Sequence, residues 1–211
     1  MNFSLKRLAA YCLDHSSDID EVLKELERET NLKTLAPQMI SGPLQGQLFS
    51  LISKMVKPAH VLEIGTFTGY STICLASGLK EGGTITTIES NVELKHISDK
   101  FFVKAGITDQ VKQVWGDARK IVPELDGPFD LVLIDAGKKD YSYYYDLIID
   151  KVNPGGLIMV DNVLWSGKVT ASKKDNDTTV MDAFNKKIKE DERVDKVMLP
   201  IRDGITLIIK K

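Results

Sequence analysis

Apolar residues recur at helical spacing through the first part of the chain and then gather into short unbroken runs. Phe3, Leu5, Leu8 and Tyr11 mark one helical stripe; Ile19, Val22, Leu23, Leu26 and Thr30 mark a second, with Ser17 or Asp18 as its cap. Pro37 and Ser41-Gly42-Pro43 interrupt the pattern, and a third helix is predicted over 44–56, ending before Pro58. From there the period changes. Runs at 60–64, 84–89, 111–115, 129–135 and 157–161 have the length and Val/Ile/Leu content of strands buried on both faces. Helical stretches near 71–79, 92–105, 119–125 and 141–152 separate them, long enough to cross between parallel neighbours. The end of the chain differs. After a helix near 178–190, strands at 194–199 and 204–210 are joined by a few residues including Asp203-Gly204, which can only reverse the chain. The expected fold is a doubly wound, Rossmann-like α/β sheet of seven strands, mostly parallel with a C-terminal antiparallel hairpin. It forms one domain over 1–211, with 1–35 as a helical extension.

Composition narrows the function classes. At 211 residues and 43% hydrophobic content the chain can bury one sizeable core. A net charge of -2 gives no electrostatic reason to expect nucleic acid or an anionic membrane as partner. Cys12 and Cys74 fall in two different predicted helices, so a reducing compartment is expected rather than a disulfide framework. The acidic residues Asp14, Asp18, Asp20 and Glu21 do not suit a secretory leader, and no apolar run approaches the ~20 residues a membrane span needs. A cytoplasmic location follows as the expectation. The polar stretch 172–177 is a candidate mobile loop.

Candidate chemistry collects at strand ends, where ligands bind in an open parallel sheet. Asp135 ends one apolar run, and Asp161 and Asn162 end another. Each alone can open a turn or cap a helix. Together they outline a metal site, and oxygen donors without His or Cys suit Mg²⁺, Mn²⁺ or Ca²⁺ rather than Zn²⁺. Gly65 and Gly69 stand four apart between a strand and a helix, letting the backbone pass close to a ligand. The middle glycine of a dinucleotide loop is missing, which argues against NAD. Glu89 ends the next strand, where an acid can accept from both hydroxyls of a ribose. Asp117, after Gly116, can accept from an adenine amino group or cap the next helix. Trp165 can cover a substrate ring or pack inside, and of Tyr141, Tyr143, Tyr144 and Tyr145 one or two are expected to be buried. His15, His60 and His96 lie outside every motif.

Four separated stretches carry a resemblance: VLEIGTFTGYS at 61–71, LIDAGKKDYSYYY at 133–145, VDNVLWSGKV at 160–169 and RDGITLIIKK at 202–211. They resemble the cation-dependent S-adenosylmethionine O-methyltransferases, which include the catechol and caffeoyl-CoA enzymes, with the closer likeness to the caffeoyl-CoA and bacterial branch. The resemblance implies a class I methyltransferase fold and a divalent cation on Asp135, Asp161 and Asn162, with Lys138 as the catalytic residue. For S-adenosylmethionine it implies contacts from Met39, Ser41, Glu63, Gly65, Ser71, Glu89, Asp117, Ala118 and Asp135. The implied substrate is a small catechol-like phenol, free or carrier-linked. A free phenol has a pKa near 10, so only about one part in a thousand is ionised at neutral pH. Lowering that value by about three, worth roughly 4 kcal/mol, is work for a cation and for Lys138, acting as a charge or as a base. An NAD-dependent oxidoreductase and a non-catalytic adenosine-binding scaffold are the competing expectations. The apolar faces through Leu5, Leu8, Leu23 and Leu26 need cover, and the related branch implies a homodimer that would supply it, with the N-terminal helices near the substrate entrance.

Overall fold

The structure is a computed structural model that describes residues 2–211, with side chains from Arg7 onward. Seven strands form one sheet in the order β3-β2-β1-β4-β5-β7-β6. They are β1 (His60–Ile64), β2 (Thr84–Glu89), β3 (Val111–Trp115), β4 (Phe129–Ile134), β5 (Val152–Asp161), β6 (Val194–Leu199) and β7 (Ile205–Lys210). The first five are parallel, while β7 runs antiparallel to both β5 and β6. The predicted architecture is present, and the short link before Gly204 makes the reversal.

Strand alternation divides the core in two. Leu62, Val132, Ile134, Ile158 and Val160 face α6 (Ala118–Glu124), α7 (Tyr141–Ile148) and α8 (Asn176–Glu190). Val61, Leu131, Leu133, Leu157 and Met159 face the opposite layer. That layer holds α2 (Glu21–Lys33), α3 (Pro43–Val56), α4 (Tyr70–Ala76) and α5 (Lys95–Lys104). Both faces of β4 and β5 are therefore dry, which explains their unbroken apolar runs.

Several expectations need correction. The cap of α2 is Asp20, which accepts from the Val22 N–H, rather than Ser17 or Asp18. The helix expected to reach 152 ends at Ile148, and β5 starts at Val152; its register slips around Pro154-Gly155, where regular pairing cannot continue. The 172–177 stretch is not loop throughout, because Asp175 caps α8 and its first turn begins at Asn176. Three tyrosines of α7, Tyr141, Tyr144 and Tyr145, are buried, with Tyr143 exposed. The α2 face is covered within the chain itself: Leu26 and Thr30 are fully buried. α1 (Asn2–Asp14) leaves Leu8 and Tyr11 exposed, while the side chains of Phe3 and Leu5 lie outside those described.

Candidate active site

The parallel strands bring Gly65, Glu89, Gly116, Asp135 and Asp161 to one end of the sheet, each on or just past its strand's last residue. Two cavities open there. The smaller, about 370 Å³, is lined by Asp135, Lys138, Asp161, Asn162, Trp165 and Asp203 among others. The larger, about 930 Å³, is lined by Glu89, Asp117, Ala118 and Arg119. They share Met39, Gly65, Phe67, Asp135 and Ala136 as a common wall, and Ser41 and Ser71 belong to the smaller one.

In the small cavity, Asp161 is 3% exposed. Its Oδ2 accepts from Gln45 Nε2 at 2.7 Å and its Oδ1 from the Asn162 N–H at 2.7 Å. Burial, with the Asp135 charge adding to it, pushes this carboxyl up to about 7. Asn162 holds a φ of 60°, a left-handed conformation that Asn tolerates better than most residues. Among the described residues no three His, Cys, Asp or Glu side chains gather to hold a metal ion. The three donors expected from the sequence, Asp135, Asp161 and Asn162, all line the cavity as two carboxylates and one amide, and Asp203 lines it as well. A buried acid raised beside an acidic neighbour, in an all-oxygen set, fits a hard divalent cation and does not fit zinc.

Lys138 donates to Asp135 Oδ1 at 2.8 Å, and its Nζ lies 5.1 Å from the Tyr141 ring centroid. Its charge therefore sits beside the acids, rather than out in solvent next to Lys139. The buried Tyr141 hydroxyl donates to the Asp161 carbonyl at 3.0 Å and anchors the end of β5. Trp165 both packs on the core and lines the cavity. Asp203 accepts from the Ser166 N–H, tying the β6–β7 turn to the loop after β5.

In the large cavity, the Phe67 and Asn91 N–H groups each donate to Glu89 at 2.8 Å, one to each carboxylate oxygen, and fix its side chain in the chamber wall. Asp117 caps α6 through the Arg119 N–H and also pairs with the Arg119 guanidinium, which lowers its carboxyl to about 2. It still lines the chamber, so capping and accepting are compatible.

Two placements differ from expectation. Glu63 reaches neither cavity: it is fully buried and accepts from Ser71, Thr72 and Thr87. Any influence on a ligand passes through Ser71. Gly65 is required by protein rather than by ligand, since a Cβ there would lie 1.9 Å from the Asp135 carbonyl oxygen. The sequence reading also missed Gln45, Arg202 and the placement of Asp203 in the wall of the smaller cavity. The pairing of Asp161 with Ile205 puts the hairpin turn beside the strand ends, a long-range fact with no local signature.

The O-methyltransferase family model matches residues 13–211. Caffeoyl-CoA O-methyltransferase of Stellaria longipes is 32% identical over 95% of this chain and 89% of that protein. A Podospora anserina methyltransferase solved with S-adenosylhomocysteine superposes with a TM-score of 0.90 at 30% identity, covering 99% of this chain and 95% of that one. The Bacillus cereus O-methyltransferase, also solved with S-adenosylhomocysteine, gives 0.89 at 27% identity, covering 97% of each chain. The sheet order with its terminal antiparallel hairpin is that of class I methyltransferases. The oxidoreductase and scaffold alternatives are set aside, because the chain belongs to the O-methyltransferase family.

Proposed function

We propose that this chain transfers the methyl group of S-adenosylmethionine to one hydroxyl of a small catechol-like phenol, free or carrier-linked, with a divalent cation on Asp135, Asp161 and Asn162. The observation that carries this reading is the shared wall. Asp135 lines both cavities, so a nucleoside held at Glu89 and Asp117 would direct its sulfonium end toward the carboxylate pair. Glu89 would accept from the ribose hydroxyls and Asp117 from the adenine amino group. Ala118 would flank the base, while Met39, Ser41, Gly65 and Ser71 would surround the methionine end, with Glu63 holding Ser71 from beneath. When bound, the cation supplies positive charge that orients two vicinal oxygens and favours ionisation of one. Lys138 adds a second positive charge at the same place or takes the proton, and Trp165 bounds the acceptor ring and excludes water. Proximity of an oriented oxygen to the methyl then provides much of the rate.

The proposal extends to the whole chain as one domain and to a homodimer of the cytoplasm, supported by the exposed Leu8 and Tyr11 on α1. No helix among the described residues is long and apolar enough to cross a membrane. The test of the reaction is a product-resolved assay with S-adenosylmethionine and a panel of catechols. Turnover should vanish in excess EDTA and return with Mg²⁺ or Mn²⁺. Full turnover in chelator would remove the cation from the proposal, and no methylated phenol from any panel member would remove the substrate class.

A further inference from the structure

The turn between β6 and β7 places an arginine where the backbone favours glycine: Arg202 has a φ of 50°. Its side chain spans a long sequence distance. Nη1 donates to the Ile40 carbonyl at 2.9 Å, to the Ser41 carbonyl, and to Gln45 Oε1 at 2.9 Å. Gln45 is 1% exposed and passes the contact on, its Nε2 donating to Asp161 Oδ2 at 2.7 Å. The chemistry permits only this direction. A guanidinium only donates, so the amide must turn its oxygen to Arg202, which leaves its nitrogen to donate to Asp161. With Oδ2 engaged in this way and Oδ1 accepting from the Asn162 N–H, the carboxylate is fixed from two sides.

We propose that Gln45 and Arg202 are positioning residues that set the Asp161 carboxylate for its cation, and that Arg202 also couples Asp161 to the Ile40–Ser41 segment on the cofactor side. This rests on the reading of Asp161 as a cation donor. Charge at one end of the relay polarises the amide and strengthens its bond to the carboxylate. The two residues differ in reach. Gln45 touches the acid, whereas Arg202 holds both Gln45 and the two carbonyls beside the proposed methionine pocket, so their loss should leave different signatures.

The experiment measures binding on the full chain, not turnover. Mn²⁺ affinity is read by electron paramagnetic resonance and S-adenosylhomocysteine affinity by calorimetry, each beside a melting curve. Gln45→Met removes the relay at similar length; Arg202→Gly removes the guanidinium and also relieves the left-handed backbone, which favours retention of the fold. Gln45→Met should bind Mn²⁺ about tenfold more weakly, the usual scale for groups that orient a metal ligand, and keep its S-adenosylhomocysteine affinity within about twofold. Arg202→Gly should weaken both ligands, each by about fivefold. Wild-type Mn²⁺ affinity in both variants would overturn the inference, as would equal losses of both ligands in Gln45→Met. If Gln45→Met does not fold, Arg202→Gly decides alone. A wild-type chain that binds no Mn²⁺ would sink the cation reading and this inference together, whereas Mn²⁺ binding indifferent to both substitutions would sink only this inference.

Discussion

Glu63 occupies a position of β1 where alternation calls for an apolar side chain facing α3 and α4, and three hydroxyls take the place of solvent. Ser71 and Thr72 donate at 2.5 Å and Thr87 at 2.6 Å, yet burial outweighs them and pushes the carboxyl up to about 7. A carboxyl raised in the fold keeps its proton where the unfolded chain has already lost it. Stability contributed this way therefore falls as pH rises from about 4.5 toward about 7, and remains low above that. The full cost is of order 3 kcal/mol. Glu63→Gln keeps hydrogen-bonding capacity among the same hydroxyls without a charge. Its unfolding free energy in denaturant should change less between pH 5 and pH 8 than that of the wild type; coincident profiles would show that Glu63 is not the titrating group. Asp135, Asp161, Asn162 and Glu89 were legible in the sequence because each ends a strand that announces itself. Gln45 and Arg202 were not, because their partner or relay lies 116 and 157 positions away.

The N-terminal helices part company at the level of elements. α2 contributes Leu26 to the core and ties Thr30 to Thr68 of the glycine turn at 2.9 Å, while Glu25 and Glu29 meet Lys104 and Lys100 of α5. The exposed Glu25–Lys104 pair adds little, and the buried leucine adds much more. Leu26→Ala should cost about 2–5 kcal/mol. A chain beginning near Leu32 should lose cooperative melting, whereas one beginning near Ser17 should melt close to the full-length protein. Circular dichroism melts of the two would reverse this assignment if the shorter chain proved as stable. The periodicity of α2 was readable as a helix, but not its role in the core, because a stripe does not say which surface will cover it. Strand limits were read more accurately than helix ends, since an apolar run has edges while a cap depends on one side chain's geometry.

For the molecule as a whole, the parallel strands, their crossovers and the terminal hairpin were legible because connection lengths decide which neighbours can be parallel, whereas the sheet order β3-β2-β1-β4-β5-β7-β6 is set by long-range pairing. The two-cavity layout was not legible either, since it depends on how the turn at Arg202 docks against the loop after β5. Assembly is equally a whole-chain property. The full-length protein at micromolar concentration should scatter light as a dimer, and removal of α1 alone should shift it toward monomer; a full-length monomer would leave Leu8 and Tyr11 without that role. Gly65 has a practical consequence for anyone seeking new acceptor specificity by mutagenesis. A side chain there would strike the backbone of Asp135, and a side chain at Gly69 would strike Phe102. Randomised libraries should therefore leave both positions fixed and spend their diversity on Gln38 and Trp165, which line the smaller cavity without serving as joints of the sheet.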